Sequence, residues 1–482
     1  MNASLQAALV LALAATANAT AASAPPDASF TVYSGAITLH PSEVHNRAEP
    51  AFDIPKTVAD QFDGVNSKMV IVDTKLDLVT RDEHGAETPV PLYDVYNHHF
   101  IMYLGDYYST SALYKKFQGK DPIGGEPCWR DHVDQTKGNG TDHADCSIAS
   151  MARGPSCLAR IRAADRRIQV AHLGGSTGGE YRNNPHNYSG SFGEIVPGKP
   201  ESILGIFHLI NTRNTTKHDG GPADYSPYLE CPCTSDRVFN VPNQSIDGCV
   251  ASPPFFCNEK FLSTKPPNPS CALSTYKGGY RCCGHGVLLA PTSADRRAAL
   301  QQETTTIYAK VTVTYRKSTP DTRDLFSCIQ DVTTTMTRSG TVDHEGPAIG
   351  NIEYDVPVCP AGTNEEDCVF TMTNVEPVLF FNNTRPVDLY YVVAHVHTGA
   401  LSATLHDEAT GELLCDADLT YGKSNHAGDE EGYLVGIAPC VFPKGRRMEF
   451  GTLLRSTITY NASAAIHGVM GLWLNKCAMA GV

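Results

Sequence analysis

The sequence predicts an all-β protein: two tandem antiparallel β-sandwich domains of jelly-roll-like type, with a disulfide-rich insertion in the first. Three observations carry that expectation. Period-2 alternation of apolar and polar residues recurs along the chain. The 31 prolines and 40 glycines punctuate short apolar runs. Long amphipathic helical patterns are absent. At 482 residues the chain also exceeds what one compact core accommodates, which favours more than one domain.

Residues 1–24 read as a secretory signal, with "LQAALVLALAAT" as the apolar stretch and Ala17-Asn18-Ala19 as small residues for cleavage, although a basic n-region is missing. A first domain is expected over 25–318. Within it "KMVIVDTKLDLV" followed by the turn-like "RDEHG" reads as a strand entering a hairpin, and "YDVYNHHFIMYL", "ESILGIFHLINT" and "TTIYAKVTVTYR" read as further strands. Residues 216–290 differ: Cys231, Cys233, Cys249, Cys257, Cys271, Cys282 and Cys283 sit among prolines and glycines with few apolar runs, which suggests a stapled insertion. The polar "RKSTPDTRD" places the boundary, and 319–482 form the second domain, with "VDLYYVVAHVHTGAL" as a strand. The glycine-rich "GGSTGGEYRNN", residues 174–184, lacks the lysine of a phosphate loop and reads as a plain loop.

Composition narrows the function classes. All 16 cysteines lie from Cys128 onward, and an even count in an exported chain is read first as disulfides. Disulfides are also preferred over a four-cysteine zinc site for Cys231-x-Cys233 with Cys282-Cys283. N-glycans are expected at Asn139, Asn187, Asn214, Asn243, Asn382 and Asn461, each of which opens an N-x-S/T triplet. With 38 basic against 52 acidic residues the net charge is −14, which disfavours nucleic acid as a partner. No segment has the apolar length of a transmembrane helix, so a secreted, extracellular protein is expected.

Histidines carry the candidate chemistry. His395 and His397 are two residues apart, so on a strand both rings face one side and can offer two nitrogens to one ion. His208 alternates with Ile206 and Ile210, and a buried imidazole must be hydrogen-bonded or metallated. His98 and His99 are adjacent and should face opposite sides, so joint ligation needs a local distortion or different ring nitrogens. Met470 would add a thioether, and such a soft set suits copper, especially Cu(I). In a chain with 18 histidines, chance alone supplies an adjacent pair or an H-x-H. Three readings remain open: a copper enzyme, a mononuclear zinc enzyme built on His395, His397 and His467, and a non-catalytic extracellular glycoprotein.

The succession "VPLYDVYNHH", "GIFHLINTR", Cys231-x-Cys233, "YKGGYRCC", "IEYDVPVC", "VVAHVHTG", "YGKSNHAGDEEGYLVGIAPC" and "HGVMGLW" resembles the stress up-regulated Nod 19 family. It covers nearly the whole mature chain. More distantly, the order His-His, single His, H-x-H, Met is similar to the copper ligands of the peptidylglycine alpha-hydroxylating monooxygenase and dopamine beta-monooxygenase family. That resemblance implies two coppers facing each other across a solvent-filled cleft: one on His98, His99 and His208, the other on His395, His397 and Met470. It also implies ascorbate as reductant and O2-driven hydroxylation of a C–H bond. The peptide-hydroxylating members place an arginine where Val393 stands, which argues against carboxylate-terminated peptides as substrate. His172, His186 and His467 are the substitutes for an assigned ligand.

Overall fold

The computed structural model describes residues 27–118, 166–212, 303–327, 353–377 and 385–480, less residues 42, 176, 177, 185, 357 and 465, together with the short strands Val238–Phe239, Val287–Leu288 and Val332–Thr333. The signal segment, most of the 216–290 insertion and the sequons at Asn139, Asn214, Asn243 and Asn382 lie outside the described residues. Asn187 is exposed and Asn461 half-buried.

The protein is all-β. In the N-terminal half an eight-stranded sheet has the Met69–Arg81 and Thr305–Lys317 strands at its centre, and a five-stranded sheet pairs Val95–Gly105 with Ser202–Asn211. The alternation in "TTIYAKVTVTYRK" emerges as a strand whose every second residue is buried. Val95–Gly105 and Ser202–Asn211 are instead buried at every position, as expected of central strands covered on both faces. Both sheets bury residues in one core, with Phe30, Leu76 and Val311 from the first and Val44, Phe100 and Ile206 from the second. The hairpin at "RDEHG" forms as its residues require: Asp82 Oδ1 accepts the amides of His84 and Ala86, and Gly85 takes φ 80°.

In the C-terminal half a five-stranded sheet is built on Val387–Val396 and Ile466–Met479, and a four-stranded sheet on Ala400–Asp407 and Leu453–Asn461. Trp473 is fully buried and donates its indole N–H to Ser456 at 2.8 Å, joining the two sheets. Disulfides Cys359–Cys368 and Cys415–Cys440 staple this half, and Cys477 is disulfide-bonded too.

Two features depart from the sequence reading. A 12-residue helix, Tyr107–Gln118, follows the Val95–Gly105 strand, with the Asp106 carboxylate accepting the Ser109 amide at its start; its apolar face is too weak to announce it. The halves also exchange residues. Tyr433 and Val435 complete the N-terminal core, while Tyr188 and Phe192 belong to the C-terminal one. Near the expected boundary, Arg323 and Asp324 still pair with Phe192–Gly193, whereas Phe326 bridges to Cys477. Among the described residues no helix is long and apolar enough to cross a membrane.

Candidate metal centre

The Val95–Gly105 strand solves the problem posed by its adjacent histidines with a β-bulge. His208 pairs with His99 and Leu209 with Asn97, so His98 is the extra residue, and two histidines oppose one across the ladder. The consequence is convergence: ligand atoms of His98, His99 and His208 all lie within 4.8 Å of one another. Nδ1 of His98 and Nδ1 of His99 are 2.9 Å apart. Nitrogens sharing one tetrahedral ion at about 2.0–2.1 Å would sit about 3.4 Å apart, so the three rings need little movement to hold a metal.

The bulge also turns the residues before it. Tyr96 pairs with Ile210 and so shares the face of His208, two residues along the same strand. Its hydroxyl lies 3.2 Å from His397 Nδ1, which brings in the other half of the molecule. His395 and His397 stand on one face of their strand with ring centres 5.1 Å apart. The ring of His397 is 4.3 Å from that of His98, centre to centre, and His208 is equally close to His98. The five histidines thus form one continuous group, with exposures from 0% to 5%. This differs from the arrangement the distant resemblance implies: no solvent-filled cleft separates His98 from His397. The exchange of core residues between the halves draws their sheets together at this point.

Met470 lies on the strand that pairs with the His395 strand. His395 pairs with Leu472 and Val396 with Gly471, and one further step of that register sets Met470 opposite His397. The Tyr460 hydroxyl accepts the His397 amide at 2.9 Å and donates to the Met470 carbonyl at 2.7 Å, locking the two residues together. Met470 is buried yet belongs to neither hydrophobic cluster among the described residues. His467 is on the same strand, and its side chain lies outside the described residues. Val393 is fully buried and shares the face of His395. Of the substitutes, His172 packs against Tyr103 at 5.4 Å and His186 against Tyr391 at 5.8 Å, and neither is part of the group of three.

Electrostatics favour the ligating form of the rings. Burial holds His99, His208 and His397 well below the usual imidazole range, and the neighbouring rings push each further down. They are therefore neutral. Neutral imidazole still needs a donor or acceptor for each nitrogen, yet Nε2 of His99 and His397 and both nitrogens of His208 and His395 have no hydrogen-bond partner. Orphaned, neutral, convergent nitrogens fit a metal ion.

A residue that sequence reasoning missed completes the group. Glu180 comes from "GGSTGGEYRNN", in a single 3-10 turn Gly179–Arg182. It is fully buried, neither carboxylate oxygen has a hydrogen-bond partner, and Oε1 lies 3.6 Å from His395 Nδ1. The double glycine explains how it gets there. A Cβ on Gly178 would stand 3.0 Å from the His98 carbonyl and 3.2 Å from the His395 ring, and one on Gly179 would stand 2.9 Å from the Leu434 carbonyl. Asn97 Nδ2 donates to the Gly178 carbonyl at 2.9 Å and holds the turn against the bulged strand. The available signal was a Gly-Gly pair directly before an acidic residue, which permits close backbone approach.

Among curated proteins none matches the chain. His98, His99 and His208 lie before the region in which family resemblance is found; His395, His397 and Met470 lie inside it. That region, residues 256–479, matches the stress up-regulated Nod 19 family.

Proposed function

We propose that this protein is an exported copper-binding oxidoreductase whose centre is built from His98, His99, His208, His395, His397 and Met470. One observation carries the reading: three histidines from two paired strands converge within 4.8 Å, next to two more, and Nε2 of His99 and His397 and both nitrogens of His208 and His395 have no hydrogen-bond partner. Copper there would supply one-electron redox chemistry with O2, with ascorbate as the reductant that the distant resemblance implies. The chain's own task is to fix the donors and exclude water. The bulge aims His98 and His99 at His208, Tyr460 ties His397 to Met470, and the burial of all five rings keeps bulk solvent out. With Val393 on the same face as His395, the wall beside the centre is apolar, which suits an uncharged C–H substrate better than a carboxylate.

The test is copper loading of the full chain, followed by metal analysis and electron paramagnetic resonance. About two copper ions per chain are expected, and a content near zero sinks the proposal. A second reading rests on the burial of the rings: a centre no more than 5% exposed also suits metal holding without turnover. Ascorbate-dependent O2 consumption by copper-loaded protein separates the two.

A further inference from the structure

Resting on the copper reading, we propose that Glu180 is a positioning residue of the metal centre: its carboxylate takes the Nδ1–H of His395, so that His395 and His397 both present Nε2 to one ion. Three observations converge on this. First, Glu180 is a fully buried carboxylate with two unpartnered oxygens, a state that is costly unless a positive charge comes to rest nearby. The Arg182 guanidinium two residues on is engaged by Asp77 at 2.6 Å and Glu430 at 3.3 Å, so it does not serve. The nearest group of the right kind is the His395 ring, 3.6 Å away.

Second, the two rings of the H-x-H are addressed alike. His397 has Tyr96 at its Nδ1, and His395 has Glu180 at its Nδ1; in both rings Nε2 has no partner. A ring whose Nδ1 is held by an outer oxygen is fixed in tautomer and orientation, and its other nitrogen becomes the ligand. At 3.6 Å the His395–Glu180 contact is just outside hydrogen-bond range, and a small rotation of the ring closes it.

Third, the backbone is arranged to deliver this one side chain. Gly178 and Gly179 admit the turn between His98, His395 and Leu434, and the three residues after Tyr181 fasten it. Arg182 binds Glu430, Asn183 donates to the Val435 carbonyl at 2.7 Å, and Asn184 accepts the Ile437 amide at 2.8 Å. Both outer oxygens come from the N-terminal half and both rings from the C-terminal half, so the orientation of the ligands depends on the halves being docked.

The experiment uses the full chain and copper itself. Wild type, Glu180→Gln and Glu180→Asp are titrated with copper, and the spectrum of the bound Cu(II) is recorded. Glu180→Gln is expected to weaken one class of site by about 10–100-fold and to change its hyperfine splitting, with Glu180→Asp recovering part of both. Equal affinity and an unchanged spectrum in Glu180→Gln overturn the proposal. Should that variant not fold, the wild type suffices: in Cu(I)-loaded protein labelled with 15N-histidine, His395 is expected to be metallated at Nε2 and protonated at Nδ1. Metallation at Nδ1 overturns the proposal. Failure of the copper reading itself would appear separately, as a wild type that binds no copper.

Discussion

Glu180 and Glu430 are both fully buried glutamates at the contact between the halves, and they are treated in opposite ways. Glu430 is satisfied: Oε1 accepts the Leu92 amide at 3.0 Å and faces Arg182 at 3.3 Å, while Oε2 accepts the Gly428 amide at 2.9 Å. Glu180, separated from Arg182 by one residue, has no hydrogen bond to either oxygen and only a histidine within reach. A chain that can neutralise one buried carboxylate so thoroughly has the means to neutralise the other. The difference teaches that Glu430 holds the molecule together, while Glu180 is held in readiness for something the chain alone does not supply.

The contrast can be broken in graded ways. The largest effect is expected for Glu430→Ala, which leaves the buried Leu92 amide and the Gly428 amide without their acceptor and takes from Arg182 one of its two carboxylates: a loss of about 3–5 kcal/mol in urea unfolding, read without metal. Copper is expected next, raising stability by about 2.7 kcal/mol at a free concentration 100 times its Kd; a melting curve that does not move on loading contradicts the centre. Glu180→Gln should cost the copper-free protein little or stabilise it, because it removes an uncompensated charge. The same variant should lose about 1.4–2.7 kcal/mol of copper affinity, the reverse of the pattern at Glu430.

The last test is pH, read as the share of one histidine per pH unit. Burial pushes His186 down to about 3, and His99, His208 and His397 also lie below their unfolded value of about 6.5. The unfolded chain therefore binds more protons than the folded one as pH falls below about 6.5. Stability is full above that pH and declines below it, for His186 until about pH 3. Each histidine contributes about 1.4 kcal/mol per pH unit in that window, and His186→Phe should flatten the slope by one such share.

Much of the fold was legible because strand signals are local. "TTIYAKVTVTYRK" shows its pleat in its own alternation, "VDLYYVVAHV" shows a covered strand in its apolar run, and Asp82 with Gly85 shows the turn. The donor types were legible too, since histidine spacing and Met470 are properties of the sequence. What could not be read was how the parts meet. The exchange of Tyr433 and Val435 for Tyr188 and Phe192 is a long-range packing event with no local trace. Glu180 looked like part of an ordinary loop because only its partner 215 positions away, His395, gives it meaning. The continuity of the five rings stayed hidden for the same reason: it depends on docking, which spacing does not encode.

The bulge at His98 has a consequence for how such a centre can change over time. On either side of it the strand has opposite parity, and His98 can join His99 beside His208 only because one residue too many lies between Tyr96 and Phe100. Substitution can weaken the centre ring by ring, but removing Asn97 would restore a regular ladder and turn His98 to the far face, opposite Leu209, with every ligand identity intact. The centre is therefore protected against gradual replacement and exposed to a change of length. In a set of relatives, the spacing from Tyr96 to Phe100 would be a sharper mark of a working centre than the histidines themselves.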